Sequence, residues 1–502
     1  MLRSLALLSL VAMPAQAITA APVGEVEALR RTVTEQQARI DALTARLDAL
    51  DAKAAIPVPA AAPAVAPVAA APVLVAAPAK PPAGDNVITK FRGSPEFTTA
   101  DGWRFKVRGR IQYDASYIEN PGNSINTKDL GFTTRIRRAR LGVEGDMPGG
   151  FTYKAEVDFA DTLSRAADVV LIWHGKEVIG ASDLELTLGH FEPLDGFEQI
   201  TSSRYTSFIE RAAFNEAFGN IRRLGATATY ISPGKELRVS AGVFNDTINA
   251  DRANDDLLLS SRVTWSPHAG KAQLHFGGNI QYRRYQTNDL VFDYRARPFS
   301  NDTNTRFVDT GNLALRDDLI VGGEFVGISG PFHVAAEAQH ITAHTLRPGE
   351  LLENGDASRG LRTNGDPGFF GMHAEVGYFF TGESRAYKDG LWTRTRVRNP
   401  VGQGGSGSWS VNLRYDWLDL TDSVGAPGSL AAADFIDGGR QSGYLAALVW
   451  QPMDYIRFTM QYTHGVVTGG PFQAQVNPDS LLPLSDRHFN FDVAAMRAAW
   501  DF

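Results

Sequence analysis

Several things are missing from this chain, and each absence excludes something. There is no cysteine in 502 residues, so neither a disulfide framework nor a thiolate metal site is possible. Beyond the first residues there is no unbroken apolar run of about 18 residues, the length a membrane helix needs. If the chain spans a membrane, it must do so as a closed barrel. Neither G-x-S-x-G nor H-E-x-x-H occurs, the glycine stretch 402–407 opens no helical pattern and reads as a loop, and His275 and His373 stand without ligand spacing. Asn249 to Asp256 is rich in Asp and Asn, which turn chemistry explains better than a cation site. No catalytic set, metal or cofactor is therefore expected. The net charge of −7 gives no general attraction to nucleic acid, so any role for the arginines is local.

What is present begins with an export leader over 1–17: Arg3, an apolar stretch from Leu5 to Val11, and the small-x-small signal Ala15-Gln16-Ala17. Residues 25–53 read as a coiled coil, with Val26, Leu29, Val33, Gln36, Ile40, Leu43, Leu47 and Leu50 in 3-4 spacing. β-branched residues at the first seam position lean toward a dimer, which Gln36 weakens. Residues 54–84 are almost wholly Ala, Pro and Val, an extended spacer.

From 85 to 502 the pattern is strand alternation. Trp103, Phe105, Val107, Ile111 and Tyr113 oppose Arg104, Lys106, Arg108 and Arg110. Trp409, Val411, Leu413, Tyr415 and Trp417 oppose Ser410, Asn412, Arg414 and Asp416. Roughly sixteen such segments of about ten residues follow one another between Gly-, Asn-, Asp- and Pro-rich turns. A soluble sandwich would break into domains well before this length, and aromatics gather near strand ends as membrane girdles require. The fold class expected is an all-β transmembrane antiparallel barrel in a bacterial outer membrane, its oily face toward phospholipid and lipopolysaccharide and its polar face toward a lumen.

On that alternation Arg104, Lys106, Arg108, Arg110, Arg138, Arg140 and Arg283 face the lumen, whereas Arg137 falls outside unless a bulge or the rim accommodates it. Arg295 and Arg297 lie two apart before Pro298, so in extended chain their guanidiniums share a face. Residues 195–218, polar and set between two strand signals, are the candidate for a loop that folds inward. Pairing with neighbouring carboxylates is the bland alternative for any one luminal arginine.

The strings "RGRIQYDAS" (108–116), "IRRARLGVEG" (136–145), "LGHFEPLDGFEQITSSRYTSFIERA" (188–212), "YRARP" (294–298), "YFFTGESRAYKDG" (378–390) and "WSVNLRYDWLDL" (409–420) closely resemble the phosphate-selective porin O and P family. The resemblance implies a homotrimer of sixteen-stranded channels that pass small, phosphate-like anions, with the coiled coil in the periplasm. It overrides the dimer lean of the short heptad seam. By resemblance Arg295 and Arg297, extended by Arg306, belong to an anion-attracting column, and Arg110, Arg137 and Arg138 match basic pore residues. Asp168 matches an acidic residue near the constriction. Gln199 stands where the family has a lysine, a departure that weakens the case for tight phosphate binding more than the case for anion preference. Two other readings stay open: a general-diffusion porin with cancelling charges, and a barrel that anchors an envelope tether.

Overall fold

The alternation at 103–117 survives into the structure with its sides reversed relative to a water-soluble sheet. Trp103, Phe105, Ile111 and Tyr113 are exposed, while Arg108, Arg110, Gln112, Asp114 and Ser116 are buried. A sheet that hides its polar residues and shows its apolar ones is built for lipid outside and a filled lumen inside.

The computed structural model describes residues 87–123, 129–160, 164–248, 256–285, 291–351, 360–426, 429 and 431–502. The leader, coiled coil and spacer expected over 1–84 lie outside the described residues, as does nearly all of 249–256. Sixteen strands form the wall: β1 (Arg104–Ile118), β2 (Gly131–Met147), β3 (Phe151–Asp158), β4 (Arg165–Ile179), β5 (Ser182–Phe191), β6 (Arg223–Ile231), β7 (Leu237–Phe244), β8 (Leu257–Trp265), β9 (Ala272–Arg284), β10 (Leu313–Ser329), β11 (Phe332–Thr345), β12 (Gly368–Phe379), β13 (Ser408–Ser423), β14 (Phe435–Met453), β15 (Ile456–Thr468) and β16 (His488–Asp501). Each pairs antiparallel with the next, and β16 pairs back onto β1 from Val493↔Ile118 to Asp501↔Arg110. Phe502 completes the seam by exchanging both backbone hydrogen bonds with Gly109, each 3.0 Å. Closure leaves the described wall without an open edge, the condition for a sheet in lipid. A barrel of this size encloses an aqueous channel unless something fills it.

One end carries tight turns, among them 180–181, 330–331 and 454–455. Gly330, at φ 56°, supplies the left-handed conformation such a turn needs. The other end carries long loops, including 192–222, 285–312 and 346–367, and in outer-membrane barrels this is the extracellular side. Aromatic pairs ring the turn end on the lipid face: Trp265 with Phe276, Phe332 with Tyr378, Trp409 with Trp450, and Trp500 with Phe502.

The strict polar-inside pattern fails toward the long-loop end. Leu418 and Leu420 follow Arg414 and Asp416 on the same inner face, and with Ile341, Phe369 and Phe491 they form an apolar bed. Onto it pack Phe208, Phe214 and Phe218 from the loop 192–222 and Tyr294, Phe299 and Phe307 from the loop 285–312. The core of the molecule therefore lies inside the barrel, between wall and inward loops.

Candidate functional site

The loop 192–222 enters the lumen, as expected for 195–218, and two short helical turns pin it: α1 (Phe197–Ile200) and α2 (Ala213–Ala217). On α1 Glu198 is buried; its backbone N–H donates to Glu337 of β11 at 2.8 Å, and its carboxylate pairs with Arg414 of β13. Arg414 also donates to Glu375 of β12 at 2.7 Å. The N–H of Ala213, opening α2, donates to Asp416 at 3.2 Å. Beneath α2 the wall residue is Gly371, where a Cβ would stand 2.3 Å from the Cβ of Phe214, so only glycine lets the helix sit this close.

A second segment enters from the opposite end. The connection 380–407 between β12 and β13 is no tight turn: Trp392 packs against Phe197 with centroids 5.1 Å apart, and Arg385 lies over Trp392 and donates to the carbonyl of Tyr205. Sequence reasoning missed this wedge. The signal available was a long insertion at the turn end carrying Tyr387 and Trp392 among its arginines.

Two lumen cavities meet at the inward loop. The larger, about 390 Å³, is lined by Arg110, Arg138, Arg140, Lys154, Asp168 and Arg222 among others; the smaller, about 300 Å³ and nearer the long-loop mouth, by Arg137, Glu210, Glu216 and Arg297 among others. Gln199 and Arg211 line both, which places them at the narrowing between the two spaces.

The sequence-predicted residues fall into three groups. Arg110, Arg138 and Asp168 line the larger cavity, Gln199 lines both, and Arg137 lines the smaller. Arg137 does so through a bulge: Gln112 opposes Arg138 and Tyr113 opposes Ile136, so Arg137 is the extra residue and turns inward to Glu210 at 3.0 Å. Burial alone would raise the Glu210 carboxyl, but Arg137, Arg497 and Arg138 outweigh it and hold it well below the ordinary range. Arg138 donates to Gln112 at 2.8 Å. Asp168 is clamped by Lys154 and by Arg222 at 2.7 Å. Gln199 donates its amide to Glu192 at 2.7 Å and to the carbonyl of Asn220 at 3.1 Å.

Arg295, Arg297 and Arg306 stand at the mouth, on the loop 285–312. Arg295 pairs with Asp293 at 2.9 Å, and Arg297 and Arg306 share Glu216 of α2. The third group is wall-bound. Arg104 pairs with Asp146, Arg108 with Glu144 and Glu156, and Arg140 with Asp158 and Glu156. Lys106 lies opposite Glu144 across the strand pair. Arg283 corrects the expectation of a lumen-facing charge: it is buried with Asp318 at 2.7 and 2.8 Å, donates to the carbonyl of Phe218, and is sealed behind Tyr294. The alternation gave its side correctly, but loop packing removes that side from the lumen.

Sequence reasoning did not single out Ser203, Arg204, Arg211, Arg385 or Arg457, although the first three lie inside the string 188–212. Arg211 donates to the carbonyls of Glu198 and Thr201, each at 2.9 Å. Among the described residues neither Arg138 nor Arg211 has a carboxylate within 4 Å, in contrast to Arg295, Arg297 and Arg306 at the mouth and Arg104, Arg108 and Arg140 on the wall. Burial pulls the Arg211 pKa below the ordinary guanidinium value, against the opposing pull of Glu192 and Glu198; the group still keeps its proton. Arg211 at the narrowing and Arg138 in the larger cavity are thus two desolvated cations whose charge is not cancelled at contact distance. Such groups attract anions, and planar guanidinium suits oxyanions in particular.

Compared with known proteins, residues 105–481 match the family model described as Phosphate-selective porin O and P. A protein of Caulobacter vibrioides described only as uncharacterized is 32% identical over 495 residues, 95% of this chain and 90% of that protein. Porin O of Pseudomonas aeruginosa is 26% identical over 371 residues, 68% of this chain and 78% of that protein. Among solved structures, the outer membrane channel DcaP of Acinetobacter baumannii aligns at TM-score 0.44 and 13% identity, covering 81% of this chain and 99% of that one. An anion-selective porin from Comamonas acidovorans aligns at 0.41 and 12%, covering 79% and 100%.

Proposed function

The chain belongs to the phosphate-selective porin O and P family, and from that premise we propose that this outer-membrane channel passes small anions, phosphate and related oxyanions among them, down their concentration gradient. One observation carries the reading: among the described residues two guanidiniums, Arg211 at the narrowing and Arg138 in the larger cavity, have no carboxylate within 4 Å, while most other arginines of the lumen do. The permeant anion meets net positive charge where it has least water, and that is where charge acts most strongly.

The remaining residues take graded roles. Arg295, Arg297 and Arg306 collect anions at the mouth, weakened by Asp293 and Glu216. Arg137 and Arg138 pass them through the narrowing to Arg110, where Glu156 and the hydroxyl of Ser203 already occupy part of the guanidinium. Asp168, held by Lys154 and Arg222, limits how tightly an anion binds and so favours its release. The working unit is a homotrimer, as the family's pattern implies. Phospholipid and lipopolysaccharide surround the apolar belt.

Gln199 favours a second reading of the substrate. Both of its amide donations go to Glu192 and Asn220, so the position offers the pore neither the charge of a lysine nor a free donor. That supports a broad anion channel over one with a tight phosphate site.

The test is the reversal potential of the purified protein in a planar bilayer under a potassium chloride gradient, followed by titration of the chloride current with phosphate. Anion selectivity with block at low phosphate supports a phosphate site. Anion selectivity without block leaves the broad channel. A potential near zero or cation-selective sinks the argument from Arg138 and Arg211 and leaves a general-diffusion porin.

A further inference from the structure

Behind the tip of the inward loop lies a small, partly open cavity that shares Arg110 and Ser203 with the larger lumen cavity. Its volume is about 20 Å³, and it sits between Ser203 to Phe208 of the loop and the wall strands β1, β15 and β16. A void needs some 10–15 Å³ to hold one water, so this one takes a single body of that order. A tetrahedral oxyanion does not fit.

Its lining is unusual in chemistry. Arg110, Arg204 and Arg457 all face it, and in each the buried Nε–H has no hydrogen-bond acceptor. Arg110 is 4% exposed. Leaving such a donor unmade is expensive, and three together need a common explanation. Other donors of Arg110 and Arg457 are placed. Arg110 Nη1 donates to Ser203 Oγ at 2.6 Å and Nη2 to Glu156 at 3.0 Å; Arg457 Nη1 donates to the carbonyl of Arg204 at 3.2 Å and Nη2 to that of Thr206. Because Ser203 Oγ accepts from Arg110, its own hydrogen is free to be donated.

The carboxylates nearby are otherwise engaged. Asp501 pairs with Arg394 and stands 3.7 Å from Arg204 Nε, and Asp454 accepts from the backbone N–H of Val397 at 2.8 Å. Arg497, at the rim, is held by Asp114 and Glu210. Phe208 and Ala499 line the space with apolar surface. Water would find donors in excess and few free acceptors. A small, weakly hydrated, monoatomic anion finds donors on one side and apolar wall on the other.

The geometry points to a buried halide site, filled by chloride under ordinary conditions and bonded by the Nε–H groups of Arg110, Arg204 and Arg457 with the Ser203 hydroxyl. The bound ion joins the loop, through Ser203 and Arg204, to the wall, through Arg110 and Arg457. It is a structural ligand that fixes the loop tip, not the permeant ion, and it stands whether or not the path above it discriminates phosphate.

The experiment replaces chloride with bromide in the full-length protein, then locates bromide by anomalous scattering and follows thermal unfolding against chloride, bromide, gluconate and phosphate. An anomalous peak among the three Nε atoms, with saturable stabilisation by chloride and bromide only, is the expected result. Arg457→Met weakens the halide effect at least tenfold; if that variant does not assemble, Ser203→Ala does so several-fold. No peak in the cavity, stabilisation by gluconate equal to that by chloride, displacement of bromide from the cavity by phosphate, or unchanged halide affinity in the variant that folds overturns the site.

Discussion

The mouth and the narrowing use the same residue type to opposite electrical effect. At the mouth, Arg295 has Asp293 and the pair Arg297 and Arg306 has Glu216. Arg138 in the larger cavity and Arg211 at the narrowing donate only to neutral oxygens, of Gln112 and of the loop backbone. A count of arginines does not show this contrast; contact geometry does, because a carboxylate at 3 Å removes most of the field that a neutral acceptor leaves in place.

The largest way to break this contrast is to release the loop that creates it. Arg414→Met leaves Glu198 and Glu375 buried without their cation and costs about 3–5 kcal/mol. It should lower the unfolding temperature and turn a steady open-channel current into a fluctuating one; an unaltered current would show that the ion pair does not hold the loop. Next in size, Arg138→Gln combined with Arg211→Gln should move the reversal potential most of the way to zero. Arg283→Gln, whose guanidinium is sealed behind Tyr294, should destabilise the protein and leave the potential where it was.

Gln199→Lys sharpens the comparison from the other side. A charge at the narrowing should lower the phosphate concentration that half-blocks the chloride current by roughly tenfold, about 1.4 kcal/mol. Glu216→Gln frees Arg297 and Arg306 at the mouth and should raise anion selectivity slightly, an effect that fades as salt rises because the site is open to solvent. The smallest effect concerns pH. The Glu210 carboxyl has its pKa depressed, so its pairing with Arg137 and Arg497 is fully present above the ordinary carboxylate value of about 4.3. It is lost only as pH falls through the depressed value. Selectivity should therefore stay flat between pH 8 and 5, and a step in that interval would show that Glu210 titrates in the working range.

How much of this was legible depends on distance along the chain. The wall was legible because alternation is local: β1 and β13 have the sides expected from Phe105 to Tyr113 and from Trp409 to Trp417. Even the bulge at Arg137 was legible, since two adjacent arginines of one strand cannot both face inward without one. The site was only half so. Arg283 lies on the expected side yet is covered by residues from 218 and 294, and nothing within β9 announces that. The wedge 380–407 and the docking of Glu198 on β11 and β13 join segments more than a hundred residues apart, which strand periodicity does not encode. Leu418 and Leu420, like Ile341, Phe369 and Phe491, are apolar residues on a polar face, and they were local hints that loops lay over them.

The seam between β16 and β1 has a consequence for biogenesis. Its register runs to Asp501↔Arg110 and ends in the reciprocal bonds of Phe502 with Gly109, where any side chain at 109 would meet the Phe502 ring at 2.4 Å. Every intermediate lacking that last ladder has two bare edges, each carrying backbone groups that lipid cannot satisfy at several kcal/mol apiece. Assembly is therefore all or none in the membrane, and a chain shortened by its final strand should be cleared by proteases as unassembled material, with no narrower or leakier pore left behind.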